Sequence, residues 1–194
     1  MTQSAAKSLP KRFKPRQPRP LEAARLEELA LAYVARFAVS AARLDAYLRR
    51  KLRERGWAGE ADPPVDALVA RFVAAGYVDD AAYARGKSAS LLRRGYGMRR
   101  VSQALGAAGI AEADRETARA GEGAQRRAAL ALAKKRGFGP FGPGPLDRAG
   151  REKQIAKMLR AGHPLDSARE LVDAASEDAA SEWAAQFDEA DACD

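Results

Sequence analysis

Apolar residues recur at helical spacing along most of the chain. Three segments carry one apolar stripe each, namely Leu44, Leu48 and Leu52; Val101, Leu105 and Ala108; and Ile155, Met158 and Leu159. Spacings of three and four residues place the apolar side chains on one face of a helix. No stretch alternates with the period of two that is typical of a strand. The pattern therefore predicts an all-α protein.

A glycine follows each of these three segments, at Gly56, Gly109 and Gly162. Glycine adopts the left-handed conformation that commonly ends a helix. The three glycines are spaced by roughly fifty residues, an interval typical of repeated supersecondary units. We therefore expect an array of small helical units with several modest cores, and not one large core.

Capping and stop residues place further helices between these segments. Asp62, followed by two prolines, is a candidate cap for a helix that carries Val65, Leu68 and Phe72 and ends at Gly76. Asp79 or Asp80 then caps a helix that runs through Tyr83 and Leu91 to Gly95, and a further helix begins after Met98. Near the C-terminus, Asp166 is a candidate cap for a helix that presents Ala168, Leu171 and Val172.

Composition agrees with a folded, helix-rich chain of small cores. The protein has 194 residues, of which 46% are hydrophobic and 31% charged. Alanine dominates the apolar positions, which favours helix and limits the area that each helix buries. No run of apolar residues is long enough to span a membrane, and Cys193 has no second cysteine to pair with. We expect a cytoplasmic monomer.

The charge is unevenly distributed. Residues 1–20 contain six cations, four prolines and no acid, whereas residues 176–194 contain seven acids and no base. The first segment is predicted to be a disordered arm that either solubilises the protein or strengthens nucleic-acid binding. The second is predicted to be an acidic tail. Two alternatives are open: one more helix around Trp183 and Phe187, or a tail that folds back on the basic surface and competes there with an anionic ligand. Because the net charge is +8, the segment between them is basic in its own right.

Candidate catalytic and metal sites are weak. His163 is the only histidine and lies beside Pro164, so no zinc ligand set is available. The glycine-rich loop 137–145 is followed by no Gly-Lys-Ser/Thr, so it reads as a linker and not as a phosphate-binding loop. Helix capping explains Asp79 and Asp80 more simply than acid–base catalysis does. We predict no enzyme activity, metal or cofactor.

The most informative segment is 81–111, which contains no acidic residue. A one-signed surface of this kind suits a polyanion. Its cations are Arg85, Lys87, Arg93, Arg94, Arg99 and Arg100. Arg93 and Arg94 precede Gly95 at a helix C-terminus, where cations are favoured in any case. The same reasoning covers the cations before Gly56, among which we retain Arg49, Arg50 and Arg53 as candidates.

Arg99 and Arg100 differ from the other cations because they begin a helix, where the helix dipole disfavours positive charge. With unpaired N–H groups and the flexible Gly95 and Gly97 nearby, they form a candidate phosphate or carboxylate site. Tyr96 is positioned to stack on a base. The alternative is a solvated basic turn.

These residues resemble the RecX family of regulatory proteins. The resemblance rests on GYVDDAAYAR from Gly76 and RRGYGMRRVSQALGAAGI from Arg93, with weaker matches in 32–56 and 151–172. It implies tandem three-helix repeats in an elongated, curved array that binds the RecA recombinase filament on single-stranded DNA. It further implies that the protein mostly inhibits the ATPase, strand-exchange and coprotease activities of RecA. It fixes no binding residue.

The predicted organisation has five parts. They are a basic arm at 1–24, a first repeat at 25–60, a central repeat at 61–113, a third repeat at 114–175 and an acidic tail at 176–194. The alternative function is a general DNA-binding protein that acts without RecA, with a helix-turn-helix at Gly95–Arg100.

Overall fold

The computed structural model describes residues 19–187, which form ten α-helices and one 3₁₀ turn at Gly139–Phe141. The helices are α1 (Ala23–Arg36), α2 (Ala41–Arg55), α3 (Val65–Ala74), α4 (Asp80–Arg93), α5 (Met98–Gly106), α6 (Glu112–Thr117), α7 (Glu122–Arg136), α8 (Arg148–Ala161), α9 (Leu165–Val172) and α10 (Glu177–Ala185). No strand forms within this range; Leu21 and Trp57 make one isolated bridge. The all-α prediction is confirmed.

Three hydrophobic clusters divide these helices into three units. The first cluster joins α1, α2 and α3 around the fully buried Leu48. The second joins α4 and α5 around Leu105, and Ala118 just after α6 and Ala128 of α7 also pack into it. The third joins α7, α8, α9 and α10 around Met158. The fold is therefore a tandem array of three-helix units, with one additional helix in the third.

The clusters group the helices differently from the predicted boundaries. Helix α3, predicted to open the central repeat, packs in the first cluster through Val65, Leu68 and Phe72. Helix α6 lies across the predicted boundary at 113, and Ala118 just after it packs in the second cluster. Stop and cap signals locate helix ends but carry no information on which helices pack together, and this is why the boundaries shift.

The structure corrects the predicted N-terminal arm and places a helix in the predicted acidic tail. Leu21, placed in the predicted disordered arm, is fully buried in the first cluster. Nine residues of the predicted acidic tail form α10, the additional helix expected around Trp183, and its Ala180 is buried in the third cluster. The guanidinium of Arg126 lies 4.6 Å from the Trp183 ring centroid and 4.3 Å from that of Phe187. Residues 1–18 and 188–194, and with them Cys193, lie outside the described part of the chain.

Helix starts agree with the sequence in part. The Asp79 carboxylate accepts the Ala82 N–H at 2.8 Å and caps α4. Asp80, the alternative cap, instead accepts the Ala41 N–H at 2.8 Å and ties the second unit to the first.

The predicted caps Asp62 and Asp166 are wrong. Helices α3 and α9 begin directly after Pro64 and Pro164, and neither start has a side-chain cap. Asp62 precedes its helix by too many residues to reach the first N–H groups, and Asp166 already lies within the first turn.

The loop 137–145 is more than a linker. Phe138 is buried in the third cluster, and the Gly139 N–H donates to Oε1 of Gln154 at 2.7 Å. A Cβ on Gly139 would lie 2.3 Å from the carbonyl oxygen of Leu171. The loop is thus packed between α8 and α9.

The middle helices of the three units meet end to end. At the N-terminus of α2, the Ser40 hydroxyl donates to the carbonyl oxygen of Ala108, just beyond α5, at 2.5 Å. At the N-terminus of α5, the Gly97 N–H donates to the carbonyl oxygen of Ala161 at the end of α8, at 3.0 Å. Each contact pairs the positive end of one helix dipole with the negative end of another.

The glycines that follow α5 and α8 make this close approach possible. A Cβ on Gly109 would lie 2.3 Å from Cβ of Ala42, and one on Gly162 would lie 2.5 Å from the Arg100 nitrogen. Gly56, in the first unit, has no heavy atom within 4 Å of the same position. The roughly fifty-residue recurrence of glycine thus marks helix ends that are, in the second and third units, also joints between units.

Candidate nucleic-acid interface

The turn between α4 and α5, which the sequence singled out, is buried at the joint between the second and third units. Gly95 and Gly97 are both buried. Besides the Gly97 bond, the Arg99 N–H donates to the carbonyl oxygen of Gly162 at 3.3 Å. The N–H groups predicted to hold a phosphate are therefore occupied by the C-terminus of α8. The predicted anion site at the start of α5 is wrong in this respect.

The two arginines of this turn have different surroundings. The Arg99 guanidinium donates to the carbonyl oxygen of Leu159 and so helps to cap α8. Arg100 is exposed and pairs with no other side chain of residues 19–187. Of these two arginines, only Arg100 has a guanidinium that is available to a ligand.

His163 holds the opposite side of the same joint. Its ring is 4% exposed, and Nε2 lies 3.0 Å from the carbonyl oxygen of Gly95. Because a carbonyl accepts, Nε2 carries the hydrogen of this bond. Burial lowers the pKa of His163, although the hydrogen bond to Gly95 opposes that effect. The only histidine is thus a structural residue.

A basic cleft of about 380 Å³ opens beside this joint. Its wall carries five exposed cations and no acid, with Tyr96 and Phe138 among the apolar residues. The cations of this basic cleft are Arg94, Lys135, Arg136, Lys157 and Arg160. None of the five forms an ion pair within the described chain. Such a surface suits a ligand with several negative charges.

The basic cleft forms because three helix C-termini converge. Arg94 is the C-cap of α4, Lys135 and Arg136 end α7, and Arg160 lies in the last turn of α8. Each helix dipole stabilises the cations at its own end. Each of these cations is explained locally by its position at a helix C-terminus. The tertiary structure brings them together on one surface.

Aromatic rings inside and beside the basic cleft are held by its cations. The Arg94 guanidinium lies 5.4 Å from the Tyr96 ring centroid. The Lys157 ammonium lies 5.6 Å from that of Phe138. Tyr96 is half-buried against the second cluster, which limits the ring area that it offers for the predicted stacking on a base.

The other predicted residues lie elsewhere. Arg85 and Arg93 are on another face of α4, in a cavity of about 610 Å³ between α4, α6 and α7. Lys87 lines a groove at the joint between the first and second units. The structure therefore distributes the predicted central cations over three surfaces and brings only Arg94 and Tyr96 into the basic cleft.

The candidates of α2 are largely engaged within the first unit. Arg49 donates to Asp45 and Asp66, and these hydrogen bonds raise the pKa of its guanidinium. Arg50 lies 3.6 Å from a Glu54 oxygen, whereas Arg53 is exposed and makes no ion pair with the described residues.

Sequence reasoning missed four of the five cleft cations: Lys135, Arg136, Lys157 and Arg160. A signal was present, because Lys134, Lys135 and Arg136 precede Gly137 as Arg93 and Arg94 precede Gly95. Both runs fit helix ends equally well, so the sequence alone did not show that they share a surface.

Metal and membrane sites find no support in the described part of the chain. Across 19–187, no three acidic, histidine or cysteine side chains are grouped closely enough to hold a metal ion. Nor does any helix there combine the length and the apolar character needed to cross a bilayer.

Three-helix units joined end to end, with a basic cleft between two of them, define a helical-repeat protein. No protein-family model matches the chain. The regulatory protein RecX of Myxococcus xanthus (strain DK1622) is 33% identical over 168 residues, which cover 82% of this chain and 90% of the relative. The chain belongs to the RecX family of regulatory proteins.

Solved structures show the same fold at lower identity. RecX from Lactobacillus salivarius has a TM-score of 0.62 and 16% identity, over 77% of this chain and 93% of the other. A second structure of regulatory protein RecX has a TM-score of 0.59 and 20% identity, over 77% of this chain and 72% of the other. The family resemblance noted from the sequence is confirmed.

Proposed function

We propose that this protein binds the RecA recombinase filament on single-stranded DNA and regulates RecA, with the basic cleft on the DNA backbone. The family membership supports a regulator, and the unpaired cations of the basic cleft are the observation that supports contact with DNA. Arg136 and Arg160 come from different helices and both face the same opening.

The chemistry required is binding and not catalysis. Phosphates would exchange their condensed counterions for the cleft cations, which makes the affinity strongly dependent on salt. Arginine supplies planar, two-pronged donors to phosphate oxygens, and three of the five cations are arginines. Backbone contacts of this kind carry no base preference, as suits a protein that follows a filament across any sequence.

A monomer bound in this way along the filament, in the cytoplasm where RecA acts, would restrain the movements of neighbouring RecA subunits. We therefore expect mostly inhibition of the DNA-dependent ATPase, of strand exchange and of coprotease activity. The three units offer separate surfaces, so contact with RecA and contact with DNA need not compete for one site.

The test is the DNA-dependent ATPase of RecA, titrated with substoichiometric protein in moderate salt. The wild-type protein is expected to lower the rate, and Arg136→Ala with Arg160→Ala to lower it much less. Arg25→Ala with Arg148→Ala is the matched control, because it removes two exposed cations that are paired with Glu28 and Glu152 outside the basic cleft. An unchanged ATPase across the wild-type titration would overturn the proposal.

The alternative function, a helix-turn-helix protein acting on duplex DNA without RecA, fits the geometry less well. In that motif the N-terminal residues of the second helix enter the major groove. Here Gly97 is buried at the joint and the Arg99 side chain is bound to Leu159. Sequence preference on duplex DNA in the absence of RecA would favour the alternative.

A further inference from the structure

A second opening, the aromatic groove, lies at the joint between the first and second units. Its volume is about 510 Å³, and its walls come from the end of α1, the start of α2, the α3–α4 loop and α4. Phe37, Tyr77 and Tyr83 line it together with Arg43 and Lys87. This volume is in the range of sites that take small ligands or parts of larger ones.

Two of its rings are unusually exposed for aromatic side chains. Phe37 is 49% exposed and Tyr77 is 59% exposed, although each is attached to a well-packed core. The Phe37 ring lies 5.6 Å from that of Tyr33, which stacks on Tyr47 at 4.1 Å. The Tyr77 ring lies 5.4 Å from the buried Phe72. The exposed rings are therefore held in place before any ligand binds.

The charge around the aromatic groove favours an anionic ligand. The Arg36 guanidinium lies 5.3 Å from the Phe37 centroid, and that of Arg43 lies 5.9 Å from the Tyr83 centroid. The Asp79 carboxylate also lines the groove, but it accepts the Ala82 N–H as the cap of α4. Aromatic faces bordered by cations are the combination by which proteins hold single-stranded nucleic acid.

The aromatic groove and the basic cleft are connected along one face of α4. Tyr83, Lys87 and Ser90 line the groove, and Arg94 lines the cleft. Spacings of four, three and four residues place these side chains on one stripe of the helix. At 1.5 Å per residue, Tyr83 and Arg94 are separated by about 16 Å along the helix axis. A single extended strand could contact both.

We propose that the aromatic groove is a stacking site for unpaired bases of the same nucleic-acid strand whose phosphates occupy the basic cleft. The inference rests on the proposed function, because the cleft supplies the backbone contact. Stacking on Tyr77 and Phe37 tolerates any base, since every base has a π-face. Bases in a duplex are already stacked and paired, so the groove would select single strands.

The experiment compares two single-stranded probes of equal length, oligo(dT) and an oligonucleotide whose central nucleotides lack bases. Both carry the same backbone charge, so only contacts with bases differ. Binding is measured by fluorescence anisotropy for the wild type and for Tyr77→Ala and Phe37→Ala. Leu31→Ala is the matched control, because Leu31 is 48% exposed in the first unit and does not line the groove.

The wild type is expected to bind oligo(dT) at least about 5-fold more tightly than the abasic probe, from the stacking energy of one base. Tyr77→Ala and Phe37→Ala should each lose affinity for oligo(dT) and keep that for the abasic probe. Tyr77→Phe should retain both affinities, and so should Leu31→Ala. Thermal unfolding followed by circular dichroism shows whether each variant is folded.

Equal affinity of the wild type for both probes, or an equal loss on both probes in Tyr77→Ala, would overturn the stacking site. A second outcome would also overturn the stacking site: Tyr77→Ala binds oligo(dT) as tightly as the wild type but no longer affects the RecA ATPase. The aromatic groove would then bind a protein surface and not bases. The proposed function fails separately, if Arg136→Ala with Arg160→Ala leaves both affinities and their salt dependence unchanged.

Discussion

The N–H of Gly97 donates to the carbonyl oxygen of Ala161 across 3.0 Å, and this bond joins the first turn of α5 to the last turn of α8. The same joint contains the hydrogen bond between His163 and Gly95. Units that are separate in sequence thus become one array through the ends of their middle helices. The basic cleft lies beside this joint, so the geometry of the cleft depends on it.

Gly97→Ala is expected to destabilise the protein by about 1–3 kcal/mol, the usual cost of overpacking. A Cβ there would lie 2.3 Å from the backbone of Gly162, which cannot move without separating the two units. The free energy of unfolding in urea is the measurement. Gly86→Ala is the control, because no heavy atom lies within 4 Å of its added Cβ. Within α4 it should stabilise by about 0.5–1 kcal/mol.

Ser40→Ala should cost more than an ordinary helix cap. Ser40 accepts the Arg43 N–H at the start of α2 and donates to the buried carbonyl of Ala108. We expect a loss of about 2–3 kcal/mol, from the cap and from the unsatisfied carbonyl together. Ser176→Ala removes a cap from α10 alone and should cost about 1 kcal/mol. Equal losses in the two variants would argue against the contribution of the Ser40–Ala108 bond.

Arg99→Ala and Arg100→Ala should separate stability from binding. The Arg99→Ala variant lacks the hydrogen bond to the Leu159 carbonyl, and this loss should reduce the free energy of unfolding by about 1 kcal/mol. Arg100 makes no such bond, so its removal should change stability by less than about 0.5 kcal/mol. If Arg100 contacts phosphate, the slope of log K against log salt becomes shallower by about one for Arg100→Ala. The opposite assignment of the two effects would contradict the geometry.

The pH dependence of stability should include a contribution from His163. Burial lowers its pKa in the folded state below the ordinary 6.5, so the unfolded chain binds the proton first as the pH falls. This contribution to stability is fully present above the unfolded pKa and is lost as the pH falls from there toward the folded pKa. Urea unfolding at several pH values checks it. His163→Gln can still donate to Gly95 but does not titrate, and it should flatten the profile in that range.

Replacement of Arg136 and Arg160 by alanine tests the basic cleft on DNA alone. Two lost phosphate contacts should make the salt slope for single-stranded DNA shallower by up to about two. Helix content should not change, because both side chains are exposed and unpaired with the described residues. Fluorescence anisotropy across a salt series is the measurement, and Arg25→Ala with Arg148→Ala again serves as the matched control. If the salt slope becomes shallower by the same amount in both double variants, the basic cleft has no special role in DNA binding.

Local signals in the sequence were sufficient for the helices and for their repetition. Apolar spacing placed Leu48, Leu105 and Met158 on buried faces, and the structure buries all three. Glycine at 56, 109 and 162 marked the helix ends, because a left-handed residue there needs no side chain. Asp79, one of the two predicted candidate caps, caps its helix. Each of these features depends on residues within a few positions along the chain.

Features that join distant residues were decided only by the tertiary structure. Nothing near Arg99 indicates that its N–H and guanidinium meet carbonyls of Gly162 and Leu159, some sixty residues away. The convergence of three helix C-termini, which gathers Arg94, Arg136 and Arg160, likewise has no local signature. The sequence by itself therefore determined a basic array of helical units of the RecX type. Only the packing of the helices decided which cations line one surface and which hold the joints between units. The sequence shows where each charge lies along the chain, but it does not show which distant residues lie beside that charge in the fold.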